Sequence, residues 1–432
     1  MLKAFFQLAK HQTTVKTEAL AGFTTFLTMS YILFINPTIL AQAGMDKGAV
    51  FVATCLAAAF GSAMMGLIAN YPIALAPGMA LNTYFTYGVV LGGGHSWQTA
   101  LGAVFISGFI FLLLSLFPIR EAIINSIPKS LKVAIVGGIG LFLGIIGFKN
   151  AGIIVGNQAT FVTLGNLHAP TTLLAILGFF LMIALEALGV TAGIIISILS
   201  ITFLGMLFGL NQFHGVFSMP PSLMPTLMQM NLHGALQLGL ATIVFAFLFV
   251  DLFDNTGTLI GIAHRAGLMN KNGKLPRIGR VLLSDSLAAI FSAFVGTSTT
   301  TSYLESTVGV KAGGRTGLMA CVVALLFLAS LFLAPLASAI PIYATAPALI
   351  YVACMMAHAF SDIQWDDATE FAPAVITAIT MPLTFSIADG ISFGFITYTV
   401  VKLLSGRWKD LNLAVIILTA AFILKYVLIN HA

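Results

Sequence analysis

The sequence predicts an all-α polytopic membrane protein built from two inverted halves, each containing one broken span. Three observations carry this. Of 432 residues, 59% are hydrophobic and only 8% charged, against about 25% charged in a soluble domain. Apolar runs of about 17–25 residues recur along the whole chain, the length that crosses a bilayer as helix. Two of these runs are interrupted by poorly helical sequence at matching places in the two halves, where apolar segments also resemble one another.

The start, "MLKAFFQLAKHQTTVKTE", is basic and amphipathic and has no small-residue cleavage site. It reads as a cytoplasmic, interfacial lead-in over 1–17. Seven candidate spans follow, at about 18–41, 48–69, 73–92, 96–117, 131–149, 170–187 and 189–210, forming a first repeat over 18–210. The Pro-rich, amphipathic stretch 211–233, "NQFHGVFSMPPSLMPTLMQMNLH", is a linker. The second repeat, 234–405, holds 234–264, 279–296, 299–312, 315–335, 341–360, 370–387 and 388–405. Beyond it, 406–432 contains one more apolar segment, 413–430, which carries Lys425 and reads either as a fifteenth span or as a surface helix.

Orientation follows from Lys and Arg. With the N-terminus inside, the loops 118–132 (Arg120, Lys129, Lys132) and 265–280 (Arg265, Lys271, Lys274, Arg277, Arg280) and the pair Arg407 and Lys409 all fall inside. The net charge of +5 thus reflects the positive-inside rule rather than nucleic-acid binding. Cys55, Cys321 and Cys354 lie in apolar segments, where a free thiol acts as a small hydrophobe. Neither they nor the scattered histidines show metal-ligand spacing, so no metal or cofactor is expected.

Residues 126–144, "SIPKSLKVAIVGGIGLFLG", resemble 339–356, "AIPIYATAPALIYVACMM"; both open with Ile-Pro and run into a small-residue helix. "PIALAPGMALNTYF" (72–85) and "GTSTTTSYLESTVG" (296–309) each replace the first half of a span with Pro-, Gly- or Thr-rich sequence. An odd number of spans per half makes the repeats inverted. Such interruptions point to a transporter site at mid-membrane. Residues 76–82 and 297–304 are expected to be extended and to cross, each followed by a half-helix whose free backbone N–H groups face polar ligand edges. Asn82 is expected at one half-helix start and Glu305 at the other.

Four of the 14 acidic residues fall inside spans: Asp251, Asp254, Asp285 and Glu305. Each costs about 2.5–3.5 kcal/mol at mid-bilayer even on the lenient insertion scale. A partner, a bound proton or a watery cavity must offset that. The plain alternative is a neutral acid hydrogen-bonded to a neighbouring helix, or a pair with Lys311 or Arg315. Asp251 and Asp254 share a helix face at i, i+3. Two carboxylates, the Asn82 amide, which both donates and accepts, and the Thr/Ser run around Thr300 suit a flat heterocycle with donors and acceptors on its edge. Phe85 and Tyr303 are placed to pack on its face, although a core role explains each of them equally well.

These residues carry a resemblance. "HQTTVKTEALAGFTTFLTMSYILFINPTIL" (11–40), "ALAPGMALNTYF" (74–85), "LFDNTGTLIG" (252–261) and "YLESTVGVKAGGRTGL" (303–318) are similar to the AzgA-like purine permeases of the nucleobase:cation symporter-2 superfamily, and most to the bacterial adenine permeases. The resemblance covers essentially the whole chain. It implies a seven-plus-seven inverted repeat with spans three and ten broken. A core domain of spans 1–4 and 8–11 would move against a gate domain of spans 5–7 and 12–14. It also implies proton-coupled uptake of a purine, adenine first, across the cytoplasmic membrane. Asp254 and Glu305 take the places of the substrate-binding acids of spans eight and ten, and Asn82 that of the polar residue of span three. Glu305, Asp254 and Asp251 are the candidates for proton coupling. The partners are then a purine base, a proton and the lipid bilayer, with a homodimer left open.

A guanine/hypoxanthine permease is the nearest alternative. A sulfate-type anion carrier shares the architecture, but two carboxylates would repel its substrate. A channel lacks any filter-like ring here, and an intramembrane protease would need more than the Asp251/Asp254 pair.

Overall fold

Uninterrupted apolar sequence with few helix breakers forms long helices here, and Pro, Gly and Thr clusters end them. The computed structural model describes residues 2–115, 127–213, 215–236, 241–265 and 276–429; within 241–265 the side chain of Asp254 also lies outside the described residues. The orientation markers Arg120, Lys271 and Lys274, and the side chains of Arg265 and Lys425, fall outside them too.

The first half comprises α1 (Val15–Met29), α2 (Ile32–Gln42), α3 (Lys47–Met64), β1 (Leu75–Pro77), α4 (Met79–Thr83), α5 (Trp97–Ser115), α6 (Lys129–Asn150), β2 (Ile154–Asn157), β3 (Phe161–Leu164), α7 (Pro170–Ala187) and α8 (Gly193–Leu207). The second comprises α9 (Ala241–Arg265), α10 (Ile278–Val295), β4 (Thr300–Ser302), α11 (Ser306–Lys311), α12 (Gly317–Ala329), α13 (Ile342–Ala357), α14 (Ala368–Thr384), α15 (Ile387–Leu404) and α16 (Leu413–Ile429). Wider π-type turns extend α3 over Met65–Ala69 and α4 over Tyr84–Gly92. Among the described residues nine helices are long and apolar enough to cross a membrane. The chain is a multi-pass membrane protein.

The packing shows the inverted repeat directly. In one group, α3 lies against α10, and β1 pairs with β4; α5 packs on α10 and α9, just as α12 packs on α3 and α1. In the other, α6 lies against α13; α7 packs on α13 and α8, just as α14 packs on α6 and α15. Exchanging each first-half element for its second-half counterpart (α1 for α9, α3 for α10, α5 for α12, α6 for α13, α7 for α14, α8 for α15) leaves the contact pattern unchanged. The two Ile-Pro matches hold equivalent places: Pro128 and Pro341 are both the residue before the first turn, of α6 and of α13, in extended conformation. Proline is tolerated there because its missing N–H would have had no helical partner.

Several expectations need correction. The first span is not one helix. It breaks at Ser30–Tyr31, where i−3 bonds (Leu33 N–H to Ser30 O, 3.1 Å; Phe34 N–H to Tyr31 O, 3.1 Å) tighten the turn ahead of Pro37. The extended part of 76–82 is only Leu75–Pro77. Gly78 is the extended cap residue and Met-Ala-Leu, good helix formers, start α4 at once, so Asn82 is the fourth residue of its helix rather than the first. The antiparallel hairpin β2–β3, pairing Ile154 with Leu164 and Asn157 with Phe161, was not foreseen in an all-α reading. The lead-in is more than an interfacial helix: Phe6 and Leu8 are buried against Leu318, and Asn70 Nδ2 donates to Phe6 O (3.2 Å). Finally, α16 runs back along α15. Thr399 meets Thr419 (2.7 Å), and Tyr426 donates to Asp389 (2.7 Å) near the opposite end of α15.

Candidate functional site

The Thr-rich run 297–303 favours extended backbone because β-branched side chains are stiff at χ1. "LAPG" favours it because the residue before a proline is pushed out of the helical region. The two stretches meet as an antiparallel pair in register Leu75 with Ser302, Ala76 with Thr301 and Pro77 with Thr300, every one of these residues buried. Bonds at both ends extend the pair: Tyr303 N–H to Ala74 O (3.0 Å) and Gly78 N–H to Thr299 O (2.9 Å). Two strands this short would not persist in water. Here the surrounding helices hold them. Ser62 on α3 bonds both the N–H and the carbonyl of Leu75, each at 3.0 Å. Asn36 on α2 donates to Thr54 (2.7 Å) and Thr297 (2.8 Å).

Of the predicted site residues, Asn82, Thr300 and Tyr303 meet at this crossing. The Asn82 side chain is fully buried, and its Oδ1 accepts from Ser298 Oγ. Thr300 sits in β4 opposite Pro77, and Tyr303 donates its hydroxyl to Pro77 O (2.6 Å). Phe85 is fully buried within the main apolar cluster. On α9, Asp251 is 1% exposed, and Asn255 Oδ1 accepts from Ser302 N–H (3.2 Å), which sets α9 beside the strand pair. Asp254 stands one residue before Asn255 on that helix; its side chain lies outside the described residues. Asp285 is buried on α10.

Glu305 is half-buried at the residue before α11, as expected. Its partner was not expected: Tyr31 donates its hydroxyl to Glu305 Oε1 at 2.5 Å. The free N–H groups anticipated at this half-helix are not free. Ser306, Thr307 and Val308 N–H bond to Tyr303, Leu304 and Glu305 O in tight i−3 turns of 2.9–3.0 Å. A six-residue helix also sums too few peptide dipoles to act as a strong anion site. Of the suggested cation partners, Arg315 turns its guanidinium to Val310 O (2.5 Å) and Gly314 O (2.7 Å), and Lys311 is exposed.

Several buried polar atoms round the crossing have no hydrogen-bond partner among the described residues: Asn82 Nδ2, Asn255 Nδ2, Thr299 Oγ1, Thr300 Oγ1 and Ser302 Oγ. Two amide donors and three hydroxyls so placed can bond the rim of a polar ligand, and each is costly to leave unmade.

Sequence reasoning missed two residues here besides Tyr31. Glu18 is a fully buried fifth acid. It accepts from the N–H groups of Arg315 (2.8 Å), Thr316 (3.3 Å) and Met319 (3.2 Å), tying α1 to the start of α12. Its place at a span start made it look like a loop acid. Asn36 lay in plain view as an amide inside an apolar run.

Comparison with known proteins adds an independent line. Residues 16–427 match the model of a family described as "Permease family". The chain is 50% identical to the adenine permease AdeP of Escherichia coli (strain K12) over 430 residues, covering 100% of this chain and 97% of that one. It is 44% identical to the guanine/hypoxanthine permease PbuO of Bacillus subtilis (strain 168), covering 97% and 99%. Among solved structures it resembles the transmembrane domain of the cyanobacterial bicarbonate transporter BicA, with a TM-score of 0.64 at 16% identity over 88% of this chain and 96% of that one.

Proposed function

Because the chain belongs to the permease family, a family of transporters rather than enzymes, we propose that it takes up a purine nucleobase, adenine first, together with a proton. The observation that carries this reading is the ring of unpartnered buried donors and hydroxyls at the strand crossing, beside the Glu305 carboxylate. Adenine presents an exocyclic amino group, a ring N–H and ring acceptors on one flat rim. A carboxylate accepting from its N–H groups makes charge-assisted bonds, stronger than neutral ones. The Asn82 and Asn255 amides donate to the ring nitrogens. Tyr303, Phe85 and Thr300 complete the pocket.

Asp254 contacts the base from α9, and Asp251 supports or relays a proton one turn away on the same face. No cationic side chain among the described residues forms an ion pair with Glu305. A charge carried through the bilayer without a counter-ion is costly, so a proton is the natural co-substrate. Protonation also lowers the cost of carrying the loaded site across the membrane. The group around the strand pair (α1–α5 and α9–α12) is the moving core, and α6–α8 with α13–α15 form the gate. The protein lies in the cytoplasmic membrane with its N-terminus inside.

The relatives include both adenine and guanine/hypoxanthine permeases, so the purine itself is the point to test. Proteoliposomes under an imposed pH gradient are expected to accumulate labelled adenine without sodium, with purines competing better than pyrimidines. Preferential accumulation of guanine or hypoxanthine would move the chain to the second substrate class. Accumulation driven by sodium and not by the pH gradient would overturn the proton assignment.

A further inference from the structure

We infer that Tyr31 is a positioning residue for transport: its hydroxyl holds the Glu305 carboxylate in the orientation that receives the substrate. This rests on the reading of Glu305 as a substrate and proton site. The geometry comes from the break in the first span. Ser30 and Tyr31 form the junction between α1 and α2, so the Tyr31 side chain leaves the chain where the helix stops. It is 2% exposed, and its ring lies 6.4 Å from that of Tyr303, tilted by 42°. Both phenols are committed as donors: Tyr303 to Pro77 O in β1, and Tyr31 to Glu305 Oε1.

This bond uses one carboxylate oxygen, Oε1, and leaves the other for the substrate. A phenol O–H donated to a carboxylate is strongest when that carboxylate is ionised. Removing the O–H therefore frees the carboxylate to turn away from the place it holds for the substrate. Tyr31 comes from the first half of the chain and Glu305 from the second, so the bond also senses the relative position of α1 and α11, which pack together.

The test is Tyr31→Phe, which keeps the buried ring and removes only the O–H. The expected result is an unchanged melting profile in detergent and a KM for adenine raised several-fold with kcat little changed, because the carboxylate is present as before but no longer held toward the base. Infrared difference spectra supply a second readout that needs no transport. A protonated-carboxyl band that is absent in Glu305→Gln is expected to move in Tyr31→Phe. In the double variant, adenine binding is expected to be no weaker than in Glu305→Gln alone. Wild-type KM and carboxyl band in Tyr31→Phe, with Glu305→Gln inactive, would overturn the role of Tyr31 and leave the site reading standing. Wild-type uptake by Glu305→Gln would overturn both. Should Tyr31→Phe lower the melting profile, the position of the carboxyl band in the folded fraction decides.

Discussion

Lys402 and Glu370 form a buried ion pair, Nζ to Oε1 at 2.7 Å, with the side chains 2% and 15% exposed. The pair joins the end of α15 to the first turn of α14. Ser130 at the start of α6 adds a bond to Glu370 Oε2 (2.5 Å), and Asp410 approaches Lys402 at 3.2 Å. Removing one partner of such a pair leaves the other charged and desolvated. Lys402→Met is therefore expected to destabilise the protein by about 3–5 kcal/mol, read as a lower melting temperature in detergent. The double change Lys402→Met with Glu370→Gln is expected to recover much of that loss. A single variant as stable as the wild type would show that the pair contributes nothing.

Gly309 lets α11 lie against α1. A Cβ there would sit 2.0 Å from Thr25 Oγ1 and 2.7 Å from Ala21 O, and the second is backbone that cannot rotate away. Gly309→Ala is expected to push the two helices apart at a cost of about 1–3 kcal/mol. Because Glu305 and Tyr31 sit on those same two elements, uptake is expected to fall more than the amount of folded protein in the membrane. Equal losses of both would mean that the contact is structural only.

What could be read in the sequence and what could not divide along physical lines. The two broken spans were legible because helix breaking is local: Pro77, Gly78 and the Thr run 297–301 act on their own backbone. The repeat was legible because Ile-Pro before α6 and before α13 is a capping pattern. The acids Asp251 and Glu305 stood out because charge inside an apolar run is rare. Tyr31 did not stand out, since a tyrosine in a span is ordinary until its distant partner is known. Nor did Glu18, whose three backbone donors lie some 300 residues away in the chain. Lys402 and Glu370 stand 32 residues apart in the sequence, and only the fold brings them together. The early start of α4 at Met79 was decided by helix propensity winning as soon as Gly78 was passed.

At the end of the loop before α14, Asp367 caps the helix through Thr369. The Thr369 hydroxyl (2.8 Å) and amide (2.9 Å), and then the Arg407 guanidinium (2.5 Å), hold its carboxyl at about 2, below the ordinary Asp value of 3.8. A carboxyl lowered on folding adds stability above its unfolded value, and that stability is lost as pH falls through the folded one. Asp367→Asn is thus expected to melt below the wild type at neutral pH, with the gap closing as pH falls from 3.8 toward about 2. A gap that stays constant through that window would remove the carboxylate as its cause. The pair is partly exposed, with side chains 49% and 28% accessible, and high salt is expected to narrow the Arg407 part of the effect.

The acids of the site give the last prediction. Glu305 is bonded to Tyr31 at the head of α11, Asp251 is buried on α9, and Asp254 lies on α9 next to the residue that touches β4. If Glu305 and Asp254 both touch the base, Glu305→Gln and Asp254→Asn each replace a charged acceptor with a neutral amide, one of whose two atoms donates. Both are expected to abolish accumulation and to weaken adenine binding by roughly tenfold or more, the loss of one charged hydrogen bond of about 1.5–3 kcal/mol. Asp251 supports rather than touches, so Asp251→Asn is expected to bind adenine almost normally while accumulating less or shifting the pH dependence. Exchange of labelled for unlabelled adenine across proteoliposomes, with no pH gradient, separates the roles. A variant that exchanges but does not accumulate has lost coupling, and one that does neither has lost the substrate. Asp251→Asn is expected in the first class and Glu305→Gln in the second. The reverse outcome would place the proton on Glu305 alone and the substrate contact on α9.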